Sequence, residues 1–425
     1  MTEKKFRALA PGVAVVLIVL CAVAAEYWFV QAPESTIPKQ QVNTKPAYEP
    51  PPAPAKGGAP VTADWPVYHG GADLAGATDC RLPDKPGILW QCRVEGSIHQ
   101  PPVGDSHGIY VATRAGTVMA LEVDGKERWK KQLVDAAKTD GSEPRERFDA
   151  PIACFRSTVV IGSKAGVVHA LDTADGTERW TYDVGAPILG TVNLYAPKSS
   201  EEPARLYVIK QDDGALHCID FNTGKPIWQG RAVARSDGSP AVGDGIVVYG
   251  SCASALHIFA AQEARLLTSI ELGEDCQVAA GPALAGGDVY SGSRGGKFFR
   301  VNVGAGRIVW TNSDSKKEIF TTPAVGQDMV VFGSEDGGVY AVDRDSGRLK
   351  WRFDTHRVPT SAVIASDKIA VGAGGVFYLL KSDTGEKVWS YEVSDGIASP
   401  AIINGMVVVG SEDGTIMAFG EKPAG

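Results

Sequence analysis

Three histidines, His169, His217 and His257, stand at one position of three successive sequence repeats, an arrangement from which a metal site could be assembled. Geometry opposes that reading. Equivalent positions on neighbouring packed sheets lie about 10 Å apart, whereas zinc needs its nitrogens about 2 Å from one ion. The same position elsewhere carries Met119, Phe299, Tyr340, Tyr378 and Met417, so these histidines are expected to pack between sheets. Six cysteines follow residue 63: Cys80, Cys92, Cys154, Cys218, Cys252 and Cys276. No two are adjacent, and Cys252-Ala-Ser-Ala-Leu-His257 has neither the spacing nor the second thiol of a haem-attachment site. The nearest candidate disulfide pairs are Cys80 with Cys92 and Cys252 with Cys276; buried free thiols are the alternative. A third set varies from repeat to repeat. The turn after each Gly-Ser pair carries Arg114, Lys164, Asp212, Cys252, Arg294, Glu335, Ala373 and Glu412 in turn. Change on a constant frame is where recognition is written, so Arg114, Lys164, Asp212, Arg294, Glu335 and Glu412 form the expected binding face; ordinary solvated turns are the rival reading.

The elements that position these residues recur eight times. Each copy reads Pro-apolar-Val, an apolar strand ending Gly-Ser, a Gly turn, a strand ending Ala-Leu-Asp, a Thr-Gly or Asp-Gly turn, and Trp, as in Pro323-Ala-Val…Phe332-Gly-Ser…Tyr340-Ala-Val-Asp…Trp351. The tryptophans are Trp90, Trp129, Trp180, Trp228, Trp310, Trp351 and Trp389, with Thr268 in the missing place. A period near 40 built of short strands and Gly turns predicts an all-β, eight-bladed β-propeller of four-stranded antiparallel blades. Proline has no amide to give a ladder, so Pro101, Pro151, Pro187, Pro240, Pro282, Pro323 and Pro400 are expected to begin the channel-lining strands, with Ser361 in the remaining blade. Tryptophan opens the outermost strand, where it can cover the seam between blades; Thr268 leaves one seam thinner. The last repeat stops at Ile416-Met-Ala-Phe419 without a Trp strand, and Leu89-Trp90-Gln91-Cys92 is a Trp strand without a blade. These are predicted to pair and close the ring, leaving no open sheet edge there.

Two stretches exceed the period, residues 132–149 and 193–206, and are expected to be lengthened loops. Ahead of the repeats, residues 1–8 are a short basic tail with Lys4, Lys5 and Arg7. Residues 9–30 are almost uncharged and, at about 1.5 Å per residue, long enough as a helix to span a bilayer, so a single transmembrane anchor is expected. A cleaved signal peptide ending near Ala22-Val23-Ala24 and a lipoprotein anchored at Cys21 are the other readings. All three place the repeats outside the cytoplasm, as a bacterial inner-membrane protein facing the periplasm or, after cleavage, a periplasmic one. Residues 31–63, rich in Pro, Ala, Lys, Gln and Thr, make a stiff solvated linker. The propeller spans 64–420 and 421–425 form a tail. A net charge of -8 argues against nucleic acid as a partner.

The repeats resemble the PQQ-like (pyrrolo-quinoline quinone) β-propeller family, the eight-bladed scaffold shared by quinoprotein alcohol dehydrogenases and the outer-membrane assembly factor BamB. Asp64-Trp65-Pro66-Val67-Tyr68-His69-Gly70-Gly71 resembles the segment that leads into the first blade of many members. What the resemblance implies divides. The quinone enzymes use a vicinal disulfide, a calcium site of Glu and Asn, and an Asp base; here the positions before the channel strands are Gln100, Ala150, Ala186, Ser239, Gly281, Thr322, Thr360 and Ser399, which offer no calcium cage. The expectation is therefore a non-enzymatic, cofactor-free, monomeric scaffold presenting one face to an envelope protein. An oxidoreductase using PQQ and calcium is the alternative, and a glycan-binding module with aromatics at the channel rim is a third reading.

Overall fold

Every regular element among the described residues is a β-strand, as the alternation of apolar runs with Gly turns requires. In the computed structural model the described residues are 64–133, 147–195 and 203–422. Their strands form eight sheets of four antiparallel strands running inner to outer in chain order, apart from the outer strand of blade eight and one strand added to blade seven. Blade two shows the pattern, with Ala153–Phe155 innermost, then Thr158–Gly162, Val167–Asp172 and Glu178–Asp183 outermost. The two middle strands of a blade are buried on both faces, so they read as continuous apolar runs such as Thr-Val-Val-Ile-Gly, and the outermost strand alternates. The prolines differ slightly from expectation. Most sit one or two residues ahead of the inner strand, and Pro187 lies six residues before Asn193–Tyr195, because the connector, with no ladder to keep, is where a missing amide costs nothing.

Ring closure follows the strand arithmetic. Gly87–Arg93 forms the outer strand of blade eight and pairs antiparallel with Thr415–Gly420, placing Trp90 opposite Ala418, Gln91 opposite Met417 and Cys92 opposite Ile416. Blade seven departs from four strands: Ala77–Thr78 adds parallel to its inner strand, Val363–Ala365.

The seams are held by one repeated device. Five indoles lie across the positive-φ glycine of the next blade's outer turn and donate their Nε1–H to a carbonyl of that turn, whereas Trp389 packs instead on Phe377, Tyr391 and Phe419. Trp129 donates to Thr173 O at 2.8 Å, Trp180 to Phe221 O at 3.1 Å, Trp310 to Arg344 O at 3.1 Å, Trp351 to Ser382 O at 2.8 Å and Trp90 to Val123 O at 2.9 Å. A Cβ on Gly176 would sit 2.7 Å from the Trp129 ring, so only glycine permits the stack. Blade four breaks the pattern on both sides. Its outer turn has no such glycine, and the Nε1 of Trp228 is buried without a partner; its Thr268 leaves Gly306 of blade five with nothing within 4 Å of the missing Cβ. The outer strands here also expose Ile227, Leu267 and Val309, where blades one, two and six carry Arg128, Arg179 and Lys350.

The lead-in segment closes the channel from within. Residues 65–78 wind around the axis and accept an amide from the same inner-strand position of successive blades. Gly104 N–H binds Trp65 O, Cys154 binds Pro66 O, Val242 binds Ala72 O, Leu284 binds Asp73 O, Val325 binds Ala75 O and Ile364 binds Gly76 O, all at 2.7–3.0 Å. Blade three joins through a side chain: buried Asn193 donates Nδ2–H bonds to Ala72 O at 2.7 Å and Pro240 O at 2.8 Å. The winding requires positive φ at His69 (62°), Gly70 (95°), Leu74 (57°) and Gly76 (61°).

Candidate docking face

In six blades the turn that follows the second strand is tied by its first amide to the connector that enters its blade, and in blades three and seven the turn instead accepts an amide of the connector that leaves it. Arg114 N–H binds Ser97 O, Lys164 binds Arg147 O, Cys252 binds Arg235 O, Arg294 binds Gln277 O, Glu335 binds Glu318 O and Glu412 binds Gly396 O, at 2.8–3.0 Å. Turns and connectors therefore share one face, opposite the inner hairpins. Arg114, Lys164, Asp212, Arg294, Glu335 and Glu412 occur on it in blade order one, two, three, five, six and eight. Ala373 is not among the turn residues: it ends the buried second strand of blade seven, and Gly374-Gly375 make the turn.

These side chains are not equally free to meet a partner. The Arg114 guanidinium is committed to Asp149 at 2.7 Å, which also holds Arg147 at 3.0 Å. Burial pushes the Asp149 carboxyl up, but the two guanidiniums outweigh it and keep it below the usual carboxylate range. Arg294 lies over the exposed Phe320 ring, 5.2 Å from its centroid. Glu412 faces His99 at 3.7 Å, and Lys164, Asp212 and Glu412 are solvent-exposed.

Between blades six, seven and eight the face opens into a cleft of about 210 Å³, lined by Phe320, Glu335, Val358, Pro359, Ile397 and His99 among others. Phe320 and Val358 are 39% and 50% exposed, so its rim is apolar. Sequence reasoning missed both, because it weighed the turns and passed over the connectors; the signal was an aromatic at the end of Glu318-Ile319-Phe320, where a connector has no core to fill. Burial lowers the His99 imidazole, with Arg114 adding to the effect. Beneath the cleft, hydroxyls link the blades: Thr322 N–H donates to Ser361 Oγ at 3.0 Å and Ser361 N–H to Ser399 Oγ at 3.1 Å, and the same link recurs between blades three and four, where Thr191 N–H donates to Ser239 Oγ at 3.0 Å. Tyr68, rising from the lead-in segment, meets Ser361 Oγ at 2.9 Å.

The repeat-position histidines stay apart. His169 Nδ1 lies 2.8 Å from Glu178 Oε1, His217 Nδ1 2.9 Å from Tyr182 Oη, and His257 places its two nitrogens 2.8 Å from Ser269 Oγ and Ser251 Oγ. Burial holds His257 down at about 4, with Arg231 acting in the same direction. No three His, Cys, Asp or Glu side chains converge on a metal position among the described residues. A quinone with its calcium does not fit this channel. The lead-in segment fills the axis: a Cβ on Gly281 would already touch Leu74 Cδ1 at 3.1 Å, and the surrounding positions are hydroxyls, alanine and glycine.

The six described cysteines are thiols, with Cys154, Cys218 and Cys276 buried and Cys80, Cys92 and Cys252 half-buried. Burial drives the Cys92 thiol to about 11, with Glu127 adding to it, and raises Cys154 well above its usual value. Cys252 and Cys276 occupy segments joined by Leu272 N–H to Ser254 O at 2.8 Å and Val278 N–H to Ser251 O at 3.0 Å. The anchor expected over residues 9–30, the linker over 31–63, the greater part of the first lengthened loop and the middle of the second lie outside the described residues.

Comparison with known proteins agrees with this geometry. The family described as "Outer membrane protein assembly factor BamB" matches residues 138–274, 255–396 and 355–422. BamB of Xanthomonas campestris is 28% identical over 78% of this chain and 85% of its own length. Among solved structures, BamB from Moraxella catarrhalis superposes with a TM-score of 0.64 at 22% identity, covering 80% of this chain and 99% of that one. A quinohemoprotein alcohol dehydrogenase from Comamonas testosteroni reaches 0.68 at 13% identity over 86% of this chain and 82% of that one, a likeness of fold.

Proposed function

Since the chain belongs to the BamB outer membrane protein assembly factor family, we propose that it is a propeller scaffold that serves outer-membrane protein assembly by docking a protein of the cell envelope on its turn face. The observation that carries this reading is the contrast between the two ends of the channel. The interior is taken up by the chain's own residues 65–78, while the opposite face displays charged turns around a half-apolar cleft, the composition of a protein-docking surface. Shape and charge on rigid turns suit recognition. A non-enzymatic role without cofactor belongs to the same reading.

The tether belongs to it as well. Residues 9–30 would anchor the chain in the inner membrane, with 1–8 on the cytoplasmic side and the linker 31–63 carrying the propeller, 64–420, into the periplasm as a monomer. Oxidation there would join Cys80 to Cys92 and Cys252 to Cys276. The test is crosslinking in intact cells with full-length protein, followed by purification and mass spectrometry. Recovery of outer-membrane assembly proteins, lost when Lys164, Arg294, Glu335 and Glu412 are reversed in charge on a folded protein, is the expected result. Undiminished recovery by that variant would remove the turn face from the reading, and recovery of no envelope protein would remove the reading itself.

A further inference from the structure

The lead-in segment is sealed into the channel at a cost that its own residues display. His69 and Leu74 hold left-handed backbone that glycine would adopt freely. The Nε1 of Trp65 is buried without a partner. Tyr68 and Asp73 are half-buried, and desolvation pushes the Asp73 carboxyl above its ordinary value despite the amide of Ala75 on its Oδ1 at 3.2 Å. At the centre of this segment is the His69 ring, which covers Gly76 so closely that a Cβ there would lie 2.0 Å from its Cε1. Its Nδ1 stands 2.8 Å from Leu74 O, within the segment, and its Nε2 2.9 Å from Ala362 O of blade seven. The imidazole is the clasp between plug and ring.

Both partners are carbonyl oxygens. A neutral imidazole has one N–H and satisfies one of them; the second nitrogen then faces an oxygen with which it shares no proton. A second proton would complete that bond but would place a full charge in a buried site. His69 has no ion pair among the described residues; the titratable side chain in contact with it is Tyr68, at 5.5 Å between ring centroids, while Asp73 of the same segment is engaged by the Ala75 amide, with Asp244 of blade four beyond it. None offers an anion to an imidazolium, and blade seven contributes only the Ala362 carbonyl. Desolvation therefore outweighs the two carbonyl bonds, and the ring is held below its ordinary value. Released into water, the same ring would take up its proton readily.

We propose that residues 65–78 form an acid-releasable plug, in which protonation of His69 expels the segment from the channel base and withdraws Tyr68 from Ser361 under the cleft. The sign follows from linkage. A group whose value is depressed in the closed state binds more protons in the open one, so falling pH favours opening, by up to about tenfold in the opening constant per pH unit below the ordinary imidazole range. Release frees the inner-strand amides of Gly104, Cys154, Val242, Leu284, Val325 and Ile364 together.

The experiment is hydrogen exchange of the full chain at pH 7.5, 6.5 and 5.5, corrected for intrinsic rates. The expected result is loss of protection in peptides covering 65–78 and the six inner strands, with the outer strands unchanged, and abolition of that response in His69→Gln, whose amide is neutral throughout. Protection that does not change with pH, or an acid response retained by His69→Gln, overturns the proposal. Asp73→Asn must keep the response; its loss there would make Asp73 the trigger. Should His69→Gln fail to fold, exchange at the imidazole carbon of the wild-type protein reads the ring directly: a His69 value at or above the ordinary one refutes the plug.

Discussion

Replacing Thr268 by tryptophan should restore the one seam from which the indole is missing. The structure supplies both halves of the receptor: Gly306 has φ 61° and open space where the other blades hold a ring, and Val303 O stands three residues before it, as Thr173 O stands before Gly176. Trp129, Trp310 and Trp351 are 8%, 9% and 8% exposed at equivalent positions and the other four repeat tryptophans half-buried, so an indole docked from this position would be removed largely from water. An indole buries about 100 Å² more apolar surface than the threonine it replaces, worth about 2.5 kcal/mol at ~25 cal/mol per Å². Ordering the larger side chain returns about 0.5–1 kcal/mol, which leaves a gain of about 1.5–2 kcal/mol. With an unfolding entropy near 2.1 cal/mol/K per residue, a propeller of this length should melt about 2–3 °C higher. Calorimetry, urea unfolding and the indole emission of T268W report the gain and the burial together. A double-mutant cycle with Gly306→Val, which blocks the receptor, should show coupling that consumes the gain. An unchanged or lower midpoint, or a gain that survives Gly306→Val, would refute the seam argument.

Trp310→Ala should cost about 3–5 kcal/mol in urea unfolding, because it opens a cavity against Gly347 and removes one of the two donors to Arg344 O, leaving Arg300. Asn193→Ala strands Pro240 O and the Leu194 amide and leaves Ala72 O to the Val242 amide alone, and should cost about 2–4 kcal/mol, with faster exchange at Val242 as its local signature. Peptide mapping without reduction, on protein purified from intact cells under thiol-blocking conditions, should find Cys80 joined to Cys92 and Cys252 to Cys276 if the proposed oxidation occurs, while Cys154 and Cys218 remain thiols that react only after unfolding; free thiols at those four positions would remove the pairs.

What the sequence disclosed was whatever repeats. Copy number, strand order and the pairing of Trp90 with the last repeat could be read because each blade solves the same packing problem with the same residues, and the exception at Thr268 stood out for that reason. The lead-in segment could not be read in this way. His69, Tyr68 and Asn193 acquire their partners only after the ring has closed around them; for His69 and Tyr68 these are Ala362 and Ser361, which lie 293 positions away. Such contacts leave no periodic trace. The docking face was half legible. Turn charges announced themselves by varying, whereas Phe320 and Val358 look like ordinary connector residues until three blades bring them to one cleft.

Blade eight also fixes an order of events in time. Arg93 on its outer strand hydrogen-bonds Asp413, 320 residues later, so the strand that begins the ring must wait through the synthesis of nearly everything else. Until Thr415–Gly420 arrives, Gly87–Arg93 has no partner and stands as an unpaired edge open to any other strand in the compartment. So large a separation makes closure the slow step and puts the growing chain at risk of aggregation throughout the interval. A permuted chain opened at an outer turn of another blade would be born with this sheet as one covalent hairpin and would shift that hazard to the new seam.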